Sequence, residues 1–145
     1  MANKLEERND AVRTLGEELD QCPTSEILQA LESSSIFKRA RALGALARRS
    51  ALDESLLDRV VSEITDPKNI DARLIGTVSV SHIGITCLLA TDTAHAREAV
   101  RNLFCTWPEP DRSDLLWLLK SEGLSVDEVV SNGESQAPGP KQMRV

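Results

Sequence analysis

The chain has 145 residues, of which 41% are hydrophobic and 28% are charged, and its formal net charge is −6 at pH 7. This length and composition indicate one globular domain, and the acidic balance argues against general binding to nucleic acid or anionic membranes. Aromatic residues make up only 3% of the chain and tyrosine is absent, which argues against a β-sandwich or barrel. The abundance of Leu, Ala, Arg and Glu predicts an all-α fold.

The sequence contains no stretch typical of a targeting segment or a membrane span. Residues 1–10 are charged from the start and lack an apolar signal region. Polar residues and glycine interrupt even the longest apolar run, residues 70–90. Cys22, Cys87 and Cys105 form an odd set without the spacing of a disulfide framework, which favours reduced thiols. We therefore expect a cytoplasmic protein.

Helical periodicity and capping signals predict four helices in the first half of the chain. The first covers residues 4–20 and is interrupted by Cys22-Pro23. A short helix over 26–32 follows, with Thr24 or Ser25 as its N-cap. The serine triplet at 33–35 offers the N-cap of a helix over 36–49. Asp53 then caps a helix over 54–64, which Asp66-Pro67 ends and after which a new helix can start.

The apolar run at residues 70–90 is ambiguous in its periodicity. Residues 77–81 alternate with a period of two, as a strand does. Apolar residues at 70, 74, 78, 85 and 88–89 instead follow a helical series, and the run lacks a turn dipeptide that would make a hairpin. We expect a helix that is buried on all sides and is either continuous or broken near Gly84.

The last third of the chain predicts two helices and a tail. Asp92 or Thr93 caps a helix that ends at residue 104, and residues 107–110 form a rigid connector. Asp111 or Ser113 caps a final helix over 114–122, which Gly123 ends. Residues 124–130 can add one short turn. Residues 131–145 are polar and rich in Gly and Pro, so we expect a single domain over 1–130 and a disordered tail over 131–145.

A seven-residue phrase occurs twice in the chain. ARALGAL at residues 40–46 and ARLIGTV at residues 72–78 share the order Ala-Arg-x-aliphatic-Gly-x-apolar, 32 residues apart. A shorter echo, RTLG, lies at residues 13–16. A phrase that recurs at this period, preceded each time by a shorter helix, is typical of helical-hairpin repeats whose neighbours stack to complete a core.

This pattern resembles the HEAT family of α-helical repeats, whose second helix carries an Arg followed by small residues and Leu-Gly. The resemblance covers residues 36–46 and 71–78, and Asp66-Pro67 matches the turn that the family places between paired helices. It implies an all-α solenoid of stacked antiparallel hairpins with about seven helices, and a role in protein binding. It names no partner, because a fold does not determine a function.

The candidate chemical groups are better explained by packing than by catalysis or metal binding. His82, Cys87, His95 and Cys105 lack the spacing of zinc ligands, so we predict no metal site and no cofactor. Cys87 and Cys105 are expected to be small core residues, and His82 a hydrogen-bonded core residue. The sequence contains no nucleophile elbow, P-loop or dinucleotide glycine pattern, so we predict that the protein is not an enzyme.

Basic side chains are concentrated between residues 38 and 49. Lys38, Arg41, Arg48 and partly Arg49 share one helical face, and the segment contains no acidic residue. This stripe could face acidic groups of the chain itself, or bind an acidic peptide or regulatory protein, which would make the protein an adaptor. A HEAT-like nucleic-acid-binding protein or lyase-type enzyme subunit is a second alternative, but the stripe has little aromatic support.

The acidic balance favours a different function. We predict a non-catalytic inhibitor, of the kind that confers immunity, that blocks a cationic effector or toxin domain through an acidic helical surface. The tentative partner-binding residues are acids on helix surfaces together with one tryptophan: Glu17, Glu18, Asp53, Asp58, Asp71 and Trp117. An exposed Trp117 would be an anchor for the partner; the alternative is that Trp107 and Trp117 both close the end of the core.

Overall fold

The computed structural model describes residues 12–124, which are mostly helical with a small two-stranded sheet. The seven α-helices within this range are α1 (Thr24–Ala30), α2 (Ile36–Arg49), α3 (Leu57–Ile64), α4 (Pro67–Ile70), α5 (Val80–Ala90), α6 (Ala94–Thr106) and α7 (Asp111–Ser121). Strands β1 (Arg73–Ile75) and β2 (Val78–Ser79) lie between α4 and α5. Two short 3-10 helices, Glu17–Leu19 and Glu54–Leu56, precede α1 and α3. The prediction of a mainly helical protein is confirmed.

The helix α5 is the centre of the fold. Residues 80–89 are all buried, because the helix is mostly apolar and contacts α2, α3, α4, α6 and α7. Its most extensive contact is with α2. Glycines allow the two helices to approach closely: a Cβ atom on Gly84 would lie 2.8 Å from Leu43 Cδ2, and one on Gly44 would lie 3.2 Å from Cys87 Sγ. The prediction of a buried helix is therefore correct for 80–90.

The prediction of helix is wrong for residues 73–79, which form an antiparallel hairpin. Arg73 is paired with Ser79 and Ile75 with Val78, and Gly76 adopts φ +54° in the turn between them. The helix begins only where Ser79 caps it: its side chain accepts a hydrogen bond from the N–H of His82, and the His82 ring accepts one from the N–H of Ser79. The break in the run is thus at this cap and not near Gly84.

The hairpin also shows that the two copies of the seven-residue phrase are not structurally equivalent. The phrase at 40–46 lies in the helix α2, whereas the phrase at 72–78 lies in the hairpin, with Arg73, Ile75, Gly76 and Thr77 exposed. The two copies therefore have different conformations. The stacked HEAT-like arrangement that they suggested is not confirmed.

The predicted first helix is wrong over the part of it that the structure describes. Residues 12–20 form turns and a 3-10 helix, since Gly16 has a φ of +80°, which an α-helix does not accommodate. A Cβ atom on Gly16 would also collide with the backbone of Arg41, so the glycine lets this segment lie directly against α2. The rest of that helix, residues 4–11, lies outside the described residues, as do the predicted tail over 131–145 and nearly all of the predicted turn over 124–130.

Most of the remaining helices begin at the caps that the sequence predicts, and two do not. Ser35 caps α2 by accepting from the N–H of Lys38, and Asp53 caps the 3-10 turn that continues into α3. Asp66 caps α4, with Pro67 at its first position, and Thr93 caps α6. The last helix, α7, begins at 111 instead of 114 with Pro110 at its N-cap, so the predicted cap by Asp111 or Ser113 is not formed. The predicted cap by Thr24 or Ser25 is not formed either, since Thr24 is already the first residue of α1. Within residues 12–124, no helix combines the length and the apolar character that crossing a bilayer requires.

Candidate functional site

An open groove of about 710 Å³ lies between α3 and α6. Its apolar floor consists of Leu57 and Val61 from α3 and of Ala99 and Leu103 from α6. Three of these side chains are half-buried and Leu103 is 7% exposed. Positions three and four residues apart lie on the same side of a helix, so each helix offers one continuous wall to the groove.

Three carboxylates line the rim of this groove. Glu54 and Asp58 lie on the α3 side and Glu98 on the α6 side, and all three are exposed. Within residues 12–124, none of the three side chains forms an ion pair or hydrogen bond. The lining contains no Lys or Arg, and its other ionisable group is His95. The groove is therefore an apolar strip beside negative charges that the described part of the chain does not neutralise.

The other predicted acidic residues do not join the groove. Asp53 precedes it in the chain, and its carboxylate accepts hydrogen bonds from the backbone and hydroxyl of Ser55. Glu18 pairs with Arg41 at 3.0 Å. Glu17 and Asp71 are exposed elsewhere. Of the five predicted acids, the structure therefore places only Asp58 in the groove lining; Glu54 and Glu98 were not predicted, because their convergence depends on how α3 and α6 pack.

Trp117 lies apart from the groove, on the outer side of α7. It is 64% exposed, whereas Trp107 is only 5% exposed. The idea that both tryptophans close the core is therefore wrong for Trp117, and its role as a partner anchor stays a prediction.

The basic stripe consists mostly of side chains that already have partners. Arg48 pairs with Asp20 at 3.1 Å and donates to the carbonyl of Arg13, while Arg49 donates to the carbonyl of Asp20 at 2.7 Å. These arginines fasten the segment that precedes α1 onto α2. Lys38 is exposed, and Arg41 forms its ion pair with Glu18. Their acidic partners are Glu18 and Asp20, and the sequence alone did not predict these pairings.

One buried arginine was missed in the sequence. Arg39 is 9% exposed, and its guanidinium donates to Asn69 Oδ1 at 3.0 Å and to the carbonyls of Ser33 and Lys68. Asn69 in turn donates to the backbone and carboxylate of Glu63. This network joins the start of α2 to α3 and α4, so it is structural.

His82 belongs to a second buried cluster, which is centred on Asp111. One oxygen of the Asp111 carboxylate lies 2.8 Å from His82 Nε2 and accepts from Trp107 Nε1 at 2.6 Å, and the other accepts from Arg73 at 3.0 Å. Burial opposes ionisation of Asp111, but hydrogen bonds from Trp107 and His82 outweigh it and lower the pKa of this carboxyl. The cluster joins the hairpin, α5, the connector and α7.

The geometry of His82 favours a structural role. Its ring is fully buried, Nδ1 accepts from the N–H of Ser79 at 3.3 Å, and Nε2 is therefore the donor toward Asp111. Both ring nitrogens are thus occupied. The prediction of a hydrogen-bonded core histidine is confirmed, although its partner, 29 residues away, could not be named from the sequence.

The cysteines and the candidate metal ligands give no second site. Burial raises the pKa of the Cys87 thiol to about 12, so the thiol stays protonated and packs in the core as predicted. Cys105 is only half-buried, and the three cysteines are not disulfide-bonded. No group of three His, Cys, Asp or Glu side chains within residues 12–124 is arranged to hold a metal ion.

Comparisons of the chain with protein-family models, with curated proteins and with solved structures gave no match.

Proposed function

We propose that this protein is a non-catalytic binding protein that masks a cationic surface of another protein, as an inhibitor or immunity protein masks an effector or toxin domain. The observation that supports this proposal is the groove between α3 and α6. Its rim carboxylates lack partners within residues 12–124 and stand beside an apolar floor. Unpaired surface charges speed the association with a partner of opposite sign, and a desolvated apolar strip adds affinity.

The acidic surface is favoured over the basic stripe as the binding surface. Arg48 forms an ion pair with Asp20, and Arg49 donates to the Asp20 carbonyl. If these arginines bound a partner instead, the existing hydrogen bonds would be lost. Lys38 and Arg41 border a separate depression that also contains Glu18 and Glu26, where the charges are mixed. An adaptor that binds acidic peptides through this stripe is therefore the less favoured alternative, and a nucleic-acid-binding role meets the same objection.

We also propose that the helices have a HEAT-like relationship with a longer repeat than the phrase suggested. In this proposal α1 with α2, and α3 with α5, are successive pairs, and the second helices of the pairs form the main contact of the core. Gly84 lies 40 residues after Gly44; Gly84 packs against Leu43 of α2, and Gly44 packs against Cys87 of α5 as well as the Leu15 carbonyl. A period near 40 is typical of HEAT repeats.

The proposed function is tested by capture of a partner from the source cells with the tagged full chain. The informative variant combines Asp58→Lys with Glu98→Lys. The matched control combines Glu17→Lys with Asp71→Lys, which changes the net charge equally at exposed acids outside the groove. We expect a basic protein, identified by mass spectrometry, to be captured by the wild type and the control but not by the groove variant.

Two outcomes of this experiment would contradict the proposal. Equal loss in both variants would indicate a general effect of net charge. Capture that survives both reversals but is lost after Lys38→Glu with Arg41→Glu would instead support the adaptor alternative. The inhibitor function further requires that the purified chain lowers the activity of the captured partner.

A further inference from the structure

The groove between α3 and α6 has the form of a receptor for one helix. Its lining positions are 54, 57, 58, 61, 62 and 65 on one side and 95, 98, 99, 102 and 103 on the other. Both series have the spacing of a single helical face, and the walls extend over about 12–17 Å at 1.5 Å per residue. This length matches about two to three turns of a helix lying along the groove.

The distribution of charge defines the side chains that such a helix needs. The floor is apolar, while Glu54 and Asp58 stand on one side and Glu98 on the other. A helix that places a narrow apolar stripe on this floor brings the residues flanking the stripe next to the carboxylates. Those flanking residues must be Lys or Arg for the charges to be complementary.

The other occupants that the chain itself could supply have the wrong charge. Residues 1–11 contain two basic and three acidic side chains, and residues 125–145 contain the same numbers. A second copy of the chain has a net charge of −6 and is repelled as a whole. Charge complementarity therefore selects a different protein.

We infer that the α3–α6 groove binds a basic amphipathic helix of a partner protein, with aliphatic residues at i, i+3, i+4 and i+7 and Lys or Arg beside them. This inference rests on the proposed function and specifies the structural element that is recognised. It predicts that the isolated helix is sufficient for binding. It also predicts that the pattern of residues matters in addition to the positive charge.

The test uses a synthetic peptide of about four helical turns, built from Leu, Ala, Lys and Arg in this pattern. A scrambled peptide of identical composition, which lacks the apolar stripe, is the control. Binding to the full chain is measured by fluorescence anisotropy, and the contacted residues are mapped by amide chemical-shift changes. We expect the patterned peptide to bind at least roughly tenfold more tightly than the scrambled one, with shifts concentrated in α3 and α6.

Two variants separate the contributions of the rim and the floor. Asp58→Lys with Glu98→Lys should weaken the patterned peptide roughly tenfold or more, whereas Glu17→Lys with Asp71→Lys should leave its affinity within about threefold. Val61→Ser should weaken the patterned peptide and leave the scrambled one unchanged. A circular dichroism spectrum of each variant verifies that it is folded.

The inference is overturned by equal affinity for the two peptides, by no measurable binding, or by chemical-shift changes centred on Trp117 or another surface. These results are distinct from failure of the proposed function. If a basic protein is still captured in a manner that depends on Asp58 and Glu98, the acidic surface is correct and only the helix is wrong. If no basic protein is captured, the proposed function fails whatever the peptide does.

Discussion

The substitution Asp111→Asn tests whether the buried carboxylate holds the C-terminal helix to the rest of the fold. Asp111 accepts from His82, Trp107 and Arg73 at 2.6–3.0 Å and its side chain is 13% exposed. Hydrogen bonds to a charged group contribute about 1.5–3 kcal/mol each, and neutral ones about half as much. Asparagine can keep its oxygen toward His82 and Trp107, but its amide group then faces the guanidinium of Arg73.

The expected cost is therefore about 2 kcal/mol of unfolding free energy, which lowers Tm by roughly 6–10 °C for a protein of this size. Urea unfolding is followed by circular dichroism and by the fluorescence of Trp107 in a Trp117→Phe background, so that only the buried indole reports. Asp114→Asn, on the same helix, is the matched control. Because Asp114 has no side-chain partner within residues 12–124, its substitution should cost at most about 0.5 kcal/mol.

The lowered pKa of Asp111 gives this prediction a pH dependence of definite sign. The pKa of this carboxyl is lower in the folded than in the unfolded state, so its ionisation stabilises the fold at every pH above the unfolded-state pKa, which is about 3.9. That contribution is lost as the pH falls through the folded-state pKa. The difference between wild type and Asp111→Asn should thus be large at pH 7 and shrink below about pH 4. Equal costs for Asp111→Asn and Asp114→Asn at pH 7 would refute the reasoning.

Three further substitutions test the core by urea unfolding. Gly84→Ala should destabilise by about 1–2 kcal/mol, since overpacking against Leu43 outweighs the gain in helix propensity, and it should cost less in a Leu43→Ala background; additive costs would contradict close packing. Arg39→Met should cost about 2–3 kcal/mol because buried acceptors lose their donor, and a neutral result would mean that water replaces the guanidinium. Burial raises the pKa of the Glu122 carboxyl, so the ionised carboxylate destabilises the fold at pH 7. Protonation removes this destabilisation as the pH falls through the folded-state pKa. Glu122→Gln should therefore equal or exceed wild-type stability at pH 7 and converge with it in acid, whereas a clear loss at pH 7 would show that the contact with Arg13 dominates.

Local signals predicted the helices well where capping and periodicity agree. The helix α2 begins after Ser35 and ends at Arg49 as expected. Its start is determined by the serine cap and its length by the apolar periodicity, and both signals depend only on residues close together in the sequence. Asp53 likewise caps the 3-10 helix that leads into α3, and α6 begins after Thr93, although it ends at residue 106 instead of 104. The starts of these helices could therefore be predicted without knowing which elements pack against them.

Local signals failed where two conformations were nearly balanced. Residues 72–78 repeat the sequence pattern that residues 40–46 have in the helix α2, yet they belong to a hairpin. Gly76 forms the turn of this hairpin, and Ser79 caps the helix that follows. The repeated phrase also predicted that Gly76, the counterpart of Gly44, allows close helix packing, and this prediction is wrong. Gly76 has open space around it, whereas Gly84 is the one that lies against Leu43.

The sequence by itself determined the helical class, most helix boundaries, the buried character of α5 and the hydrogen-bonded state of His82. The helix boundaries depend on interactions between residues at most a few positions apart, the apolar composition of residues 80–90 indicated that α5 is buried, and one of the two hydrogen bonds of the His82 ring is to the nearby Ser79. Only the tertiary structure decided which charges are neutralised: Arg48 meets Asp20 and His82 meets Asp111, while Asp58 and Glu98 meet no cation within residues 12–124. The reason is physical, since an ion pair or a groove forms between side chains that are distant along the chain, and their approach is set by how α2, α3 and α6 pack around α5.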